Sequence, residues 1–350
     1  MSEVFLPWQH ELAAHWLERK EKLPHALLIH GLAGIGKRQF ARGLAASLLC
    51  ENTEELFACG HCTACQWIAA GNHPDLALVR PQAVAALEGA VVQDDEGASD
   101  GIAEAAPAGK KKLSDELKVD DIRALEPWYH RTTHRGGLRI VVLYPAQTLN
   151  IISGNALLKS LEEPPNNTLF LLVADSPDRL LPTILSRCQK IPIAPPSASQ
   201  STDWLKTCGV AEPAQWLAAA GGAPLRALEM SEQRASPCPP WASNLMSQLS
   251  ARRDVDVGRL ADELAGESPA QWLPVLQQLS IDVCMASAGL PVRYFPGLQK
   301  QSSARAKLAG LETWISIEQW LGDQVRLVNH PLNGKLFAHA CLQRFCEDSS

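Results

Sequence analysis

The chain has 350 residues, 32 Lys and Arg against 38 Asp and Glu, a formal net charge of −6 and ten cysteines. With 46% hydrophobic residues it can bury ordinary cores, which excludes wholesale disorder, and its length predicts about two or three domains. The acidic balance argues against an independent DNA binder, because such affinity comes largely from Lys and Arg neutralising phosphates.

The opening MSEVFLPWQHELAAHWLERKEK mixes charged and apolar side chains and has no continuous apolar core of a signal peptide. No later run approaches the roughly 18 apolar residues of a membrane span. A soluble, cytoplasmic chain with no membrane partner is expected. Thiols stay reduced in that compartment, so clustered cysteines point to metal and not to a disulfide framework.

Apolar runs then alternate with helical stretches: HALLIH (25–30), a helix near 37–50, LRIVVLY (138–144), a helix near 151–162, TLFLLVA (168–174), a helix near 178–186 and QKIPI (189–193). Fully apolar strands separated by helices predict an α/β domain whose parallel sheet is covered on both faces. Residues 88–112, EGAVVQDDEGASDGIAEAAPAGKKK, have no apolar period and read as a disordered surface insertion, either a passive solvated loop or a charged docking arm. IAPPSASQST (193–202) marks a boundary. Helical periodicity follows to the end of the chain. Six tryptophans there, Trp204, Trp216, Trp241, Trp272, Trp314 and Trp320, lack the interleaved Lys and Arg of a base-stacking surface and are predicted to pack helices.

The first strand runs into Gly31-Leu-Ala-Gly34-Ile-Gly36-Lys37-Arg38, the strand-to-helix setting of a phosphate loop G-x-x-x-x-G-K-[ST]. Glycines let backbone N–H groups curl around a phosphate, and the lysine and the helix N-terminus supply positive charge. Arg38, however, stands where a hydroxyl would hold Mg²⁺. The strand at 138–144 ends in Tyr144-Pro145-Ala146-Gln147, with no carboxylate for the same ion. Hydrolysis by this chain is therefore not expected. Gly31, Gly34, Gly36 and Lys37 remain candidates either for weak nucleotide binding or for a strand-to-helix turn without a ligand.

Cys50-x8-Cys59-x2-Cys62-x2-Cys65 is the strongest local signal. Tetrahedral Zn²⁺ takes four soft ligands, and C-x2-C turns present two sulfurs to one ion. An iron–sulfur cluster would place its fourth cysteine three residues further on, where Ala69 stands. Four thiolates leave no open position, so one structural zinc is predicted. His61 is an alternative ligand to one of the sulfurs. His130 and His134, with Arg123, Arg131, Arg135 and Arg139 around them, read as the cationic end of a helix before Gly136-Gly137 or as a second metal or phosphate site. In Ser186-Arg187-Cys188 the arginine is either structural or reaches a phosphate on a neighbouring subunit.

Together, the loop GLAGIGK, the cysteine spacing, NALLKSLEEPPNNTLFLLVAD (155–175) and the SRC triplet (186–188) resemble the AAA+ subunits of the bacterial clamp loader, most closely the delta-prime family of DNA polymerase III. The resemblance spans roughly residues 20–195, and NHPLNGKLFAHACLQRF (329–345) is similar to that family's last collar helix. It implies an α/β P-loop (AAA+) domain over 1–195 with a zinc module (50–65), a small helical lid over 196–236 and an all-α collar over 237–350. Hydrolysing loader subunits keep the phosphate-loop hydroxyl and the strand-end acids that this chain lacks.

By the same resemblance Arg187 is an arginine finger offered in trans, and Cys50, Cys59, Cys62 and Cys65 ligate zinc. The chain would be a non-catalytic stator beside motor and clamp-opening subunits in a hetero-pentameric ring. Through that ring it would meet the sliding clamp and primed DNA. Lys37 is kept in a family where this loop is often degraded, and Arg226 sits one residue from the usual lid arginine position, so it receives no role. The alternatives are a self-sufficient P-loop ATPase or nucleotide kinase, which lacks its magnesium ligands, and a zinc-dependent DNA-binding protein, which lacks a basic patch.

Overall fold

The structure is a computed structural model that describes residues 4–89, 113–133, 137–328, 330 and 333–346. The insertion expected over 88–112 lies, from residue 90 on, outside the described residues, as do His134, Arg135 and Gly136. The chain divides into two compact units, Met1–Pro196 and Ser197–Ser350.

In the first unit α1 (His10–Leu17) precedes β1 (Ala26–His30), α2 (Lys37–Leu49), α3 (Thr63–Ala69) and β2 (Leu76–Val79). α4 (Gln82–Leu87), α5 (Val119–Arg123), α6 (Leu125–Tyr129), β3 (Arg139–Leu143), α7 (Ile151–Glu162), β4 (Thr168–Ala174), α8 (Pro182–Leu185) and β5 (Gln189–Pro192) follow. The five strands form one sheet in the order β2-β3-β4-β1-β5, and every pairing is parallel. β3 and β4 are buried along their whole length, so helices must cover both faces, and this is why their sequences show no polar alternation.

Four strands fall on the apolar runs that predicted them. β2 was not visible as a run: LALV is four residues long, and three of them are partly exposed at the sheet edge. The helix expected over 178–186 is shorter than its pattern. It splits into a 3-10 turn (Pro177–Arg179) and α8, because Pro182 has no N–H to donate and holds Leu181 in extended backbone.

Parallel register does the positioning. His30 pairs with Ala174 and with Pro192, and Leu143 with Leu172, so the segments that leave β1, β3, β4 and β5 emerge at one edge of the sheet. Ligands of open α/β sheets bind at that carboxyl edge, where neighbouring strands lead into different crossovers.

The second unit is helical, from α9 (Ala198–Thr207), α10 (Pro213–Ala219), α11 (Pro224–Gln233) and α12 (Pro240–Ser250) to α13 (Val257–Leu264), α14 (Pro269–Ser287), α15 (Gln299–Ala306), α16 (Leu311–Gln324) and α17 (Gly334–Cys346). One apolar core holds Leu205, Trp216, Trp241, Trp272, Trp314 and Phe345, with Trp204 and Trp320 packed against it. All six tryptophans therefore pack helices. Asp282, fully buried in α14, accepts N–H bonds from Arg293, Tyr294 and Phe295 at 2.7–2.9 Å and so ties the following loop to the helix. Among the described residues no helix is long and apolar enough to cross a membrane.

Candidate functional site: a phosphate loop, a cysteine cage and a surface arginine

The phosphate loop leaves β1 at Gly31, whose φ is +152°, and a Cβ there would lie 2.5 Å from the Ile193 carbonyl oxygen. Only glycine fits that approach. Gly36, at φ +95°, is the N-cap of α2 and leaves the first helical N–H groups without a side-chain cap. Trp8 Nε1 and Gln9 Nε2 donate to the carbonyls of Ile35 and Gly36 at 3.0 and 2.8 Å, which pins the loop from the N-terminal segment.

Lys37 does not reach into open space. Its side chain is 3% exposed, and Nζ donates to the Leu32 carbonyl at 2.5 Å and lies 2.5 Å from Asp175 Oδ1. Asp175, the residue after β4, is itself held by Gln147, whose Nε2 donates to Oδ2 at 3.2 Å and whose Oε1 accepts from the Asp175 N–H at 3.1 Å. Arg38, at the hydroxyl position, pairs with Glu88 Oε1 at 2.8 Å and lies over the Tyr144 ring, 5.9 Å from its centroid. Glu88 also accepts from the Tyr144 hydroxyl at 2.8 Å and forms an ion pair with Arg80, whose Nε lies 3.0 Å from Oε2. Burial, then the bond to Glu88, pushes the Tyr144 phenol up to about 12. Glu88, grouped in the sequence with the insertion, instead closes α4 and anchors this network.

The four cysteines meet as one cluster. Cys50 caps the C-terminus of α2 and Cys62 the N-terminus of α3, and all four sulfurs lie within 4.8 Å of one another. Cys50 Sγ is 3.6, 3.8 and 3.7 Å from the sulfurs of Cys59, Cys62 and Cys65, and Cys59 is 4.0 Å from Cys65. A tetrahedron of Zn–S bonds has S···S edges of about 3.8 Å, so the cage is compatible with one zinc ion. N–H groups of Cys59, Cys62 and Cys65 point at the sulfurs of Cys50, Cys59 and Cys62 at 3.3–3.5 Å, although burial still pushes the Cys50 thiol up. Burial works against ionisation of Cys62, but donors from Cys65 and Glu51 outweigh it and bring that thiol down to about 6. His61 is exposed and pairs with Glu54 at 3.2 Å, outside the cage. Ala58, Ala64, Val4 and Ala46 pack around the cysteines, which seats the module on α2.

Arg187 follows α8 on the surface, 34% exposed. Nη2 lies 2.6 Å from Glu162 Oε1, and Nη1 donates to the Thr183 carbonyl at 2.9 Å. Cys188 beside it is buried. His130 is the C-cap of α6, and Arg139 donates to the carbonyls of Tyr129 and Arg131 there, a cation satisfying helix-end acceptors. Among the described residues, the cysteines are the group spaced for a metal. Arg226 is exposed on α11.

Sequence reasoning did not single out Asp175, Gln147, Glu88 or Glu162. The first had a signal: an acid directly after β4, an element whose parallel neighbour β1 feeds the phosphate loop. The others had none: Glu162 ends α7, Glu88 closes α4 and Gln147 lies in a short turn after β3, and each meets its partner only through the tertiary course of the chain.

A model of the family described as "DNA polymerase III, delta subunit" matches residues 10–197, more than half of the chain. DNA polymerase III subunit delta' of Pseudomonas aeruginosa is 37% identical over 237 residues, 67% of this chain and 63% of that protein. The Escherichia coli subunit delta' is 34% identical over 52% of this chain and 46% of its own length. That of Yersinia pestis is 31% identical over 74% and 69%. The chain thus spans about half to two thirds of the first two relatives. A gamma-subunit-related protein of Thermotoga maritima aligns over 96% of this chain and 99% of its own, with a TM-score of 0.40 and 14% identity, a likeness too distant to carry function. The family match and the relatives agree, and the chain belongs to the DNA polymerase III delta-prime subunit family.

Proposed function

We propose that this chain is a non-hydrolysing AAA+ subunit of the clamp loader, a stator that supplies Arg187 in trans to ATP held by a neighbouring motor subunit while the ring loads the sliding clamp onto primed DNA. The observation that carries this reading is a contrast within one unit. The chain's own phosphate loop presents Arg38, and the end of β3 presents Tyr144, where magnesium ligands belong, whereas Arg187 stands at the surface with its guanidinium fork braced by Glu162 and Thr183.

Phosphoryl transfer depends on positioning and on stabilising the charge that spreads over the γ-phosphate. Arg187 would act on that charge: its planar fork donates to phosphate oxygens, and bracing limits the entropy lost when it docks. The self-sufficient ATPase reading finds Arg38 in place of the loop hydroxyl and Tyr144 in place of a carboxylate at the end of β3. The DNA-reading zinc module finds no Lys or Arg in the segment 50–67, which carries Glu51, Glu54 and Glu55, and His61 pairs with Glu54.

Cys50, Cys59, Cys62 and Cys65 would hold one zinc, which supplies no open coordination position and so a structural staple. The helices of 196–236 are assigned to a lid and those of 237–350 to a collar that joins the ring. Motor and clamp-opening subunits are the partners, in the cytoplasm.

The test is a ring reconstituted with Arg187→Ala. Assembly should be retained and DNA-dependent ATP hydrolysis slowed about tenfold or more at the site the arginine faces, since arginine fingers elsewhere contribute about 10³–10⁵ in rate. The pure chain should show no turnover. Unchanged hydrolysis by the variant ring, or magnesium-dependent turnover by the chain alone, overturns the reading.

A further inference from the structure

The loop of this chain keeps its three glycines and its lysine, and the lysine already has an anion. Asp175 Oδ1 lies 2.5 Å from Lys37 Nζ, the Leu32 carbonyl takes a second ammonium proton at the same distance, and the side chain is 3% exposed. In a working phosphate loop that ammonium reaches the β- and γ-phosphates. A carboxylate at hydrogen-bond range offers the same charge and similar oxygen acceptors, and it enters from the end of β4, where the register sets Ala174 beside His30.

The carboxylate is also fixed in place. Gln147 bonds both its Oδ2 and the Asp175 N–H, so Asp175 is tied to the segment after β3 as well as to Lys37. On the other side of the loop Arg38, the residue that replaces the magnesium-binding hydroxyl, is neutralised by Glu88, which Arg80 and the Tyr144 hydroxyl hold in turn. Both cations that the loop would offer a nucleotide are thus matched by protein carboxylates from other segments.

We infer that Asp175 is an internal substitute for phosphate: it closes the phosphate loop of this chain against nucleotides, and the loop joins β1, β3 and β4 through Lys37, Gln147 and Asp175 instead of binding a ligand. This goes beyond the proposed function, which concerns ATP held by a neighbour. A bound polyphosphate would have to displace Asp175 from Lys37 or lie against it, and like charges at such range repel strongly even at the effective permittivity of a half-exposed site.

The experiment is calorimetric binding of ADP, with Mg²⁺ and with EDTA, to the full chain as wild type, Asp175→Asn and the double variant Lys37→Ala/Asp175→Asn. Asparagine keeps the shape and the Gln147 bonds while removing the charge. Wild type should bind weakly or not at all, Asp175→Asn at least about tenfold more tightly, and the double variant should lose that gain. Thermal melting checks that each variant is folded, and Asp175→Ser serves as a second uncharged replacement if the asparagine form melts early. Equal affinity of wild type and both uncharged variants overturns the inference, as does tight binding by the wild type or a gain that survives removal of Lys37. These outcomes concern the isolated chain, so they are separable from failure of the Arg187 reading, which is measured in the ring.

Discussion

The cysteine cage and the phosphate loop sit at opposite ends of one helix, α2, and both carry a motif spaced for a ligand. They differ in what fills them. Around Cys50 the sulfurs stand at the edge lengths of a zinc tetrahedron, and backbone N–H groups point at them. Around Lys37 the charge that a phosphate would bring is already present as Asp175. Spacing alone does not separate a site kept for its ligand from one kept for its shape, whereas the balance of charge at the centre does.

The largest effect is expected at the cage. Cys62→Ser should drop zinc from about one equivalent to less than half in the purified protein. Because binding free energy of a structural metal becomes folding free energy, it should also cost about 4 kcal/mol or more. Metal analysis together with chemical denaturation checks this, and full stability without metal would reduce the cage to an ordinary thiol cluster.

Next comes the shape of the loop. Gly31→Ala forces a Cβ to within 2.5 Å of the Ile193 carbonyl at a φ of +152°, which should cost about 2–4 kcal/mol with no nucleotide present. A loss below about 0.5 kcal/mol by denaturant melting would mean the loop is loose, contrary to a structural junction.

The smallest effect is a pH dependence. The Tyr144 phenol, raised from 10 to about 12 by burial and by Glu88, favours the protonated form in the folded chain. Its contribution is fully present below pH 10 and is lost as pH rises through about 12, because the unfolded chain releases that proton first. Tyr144→Phe should flatten this part of the stability curve between pH 10 and 12, and an unchanged slope would remove Tyr144 from the network.

Much of this contrast was legible in residues. The apolar runs at 25–30, 138–144 and 168–174 announced β1, β3 and β4 because strands buried on both faces cannot alternate. The cysteine spacing announced the cage because its ligands are local. The partner of Arg38 was not legible and that of Lys37 showed only as an acid ending a buried strand, since Asp175 lies 138 positions beyond Lys37 and Glu88 50 beyond Arg38, and the tertiary fold alone brings such residues together. β2 escaped because an edge strand of four partly exposed residues leaves no apolar run.

The proposed function puts Arg187 to work on a neighbour's ATP and leaves the chain's own phosphate loop without turnover. Single-turnover ATP hydrolysis by a reconstituted ring carrying Arg187→Lys tests it most directly, because lysine keeps the charge and loses the planar fork. Normal assembly is expected, with hydrolysis slowed about tenfold or more at the facing site; a ring that assembles and hydrolyses ATP at the wild-type rate would remove Arg187 from the reaction.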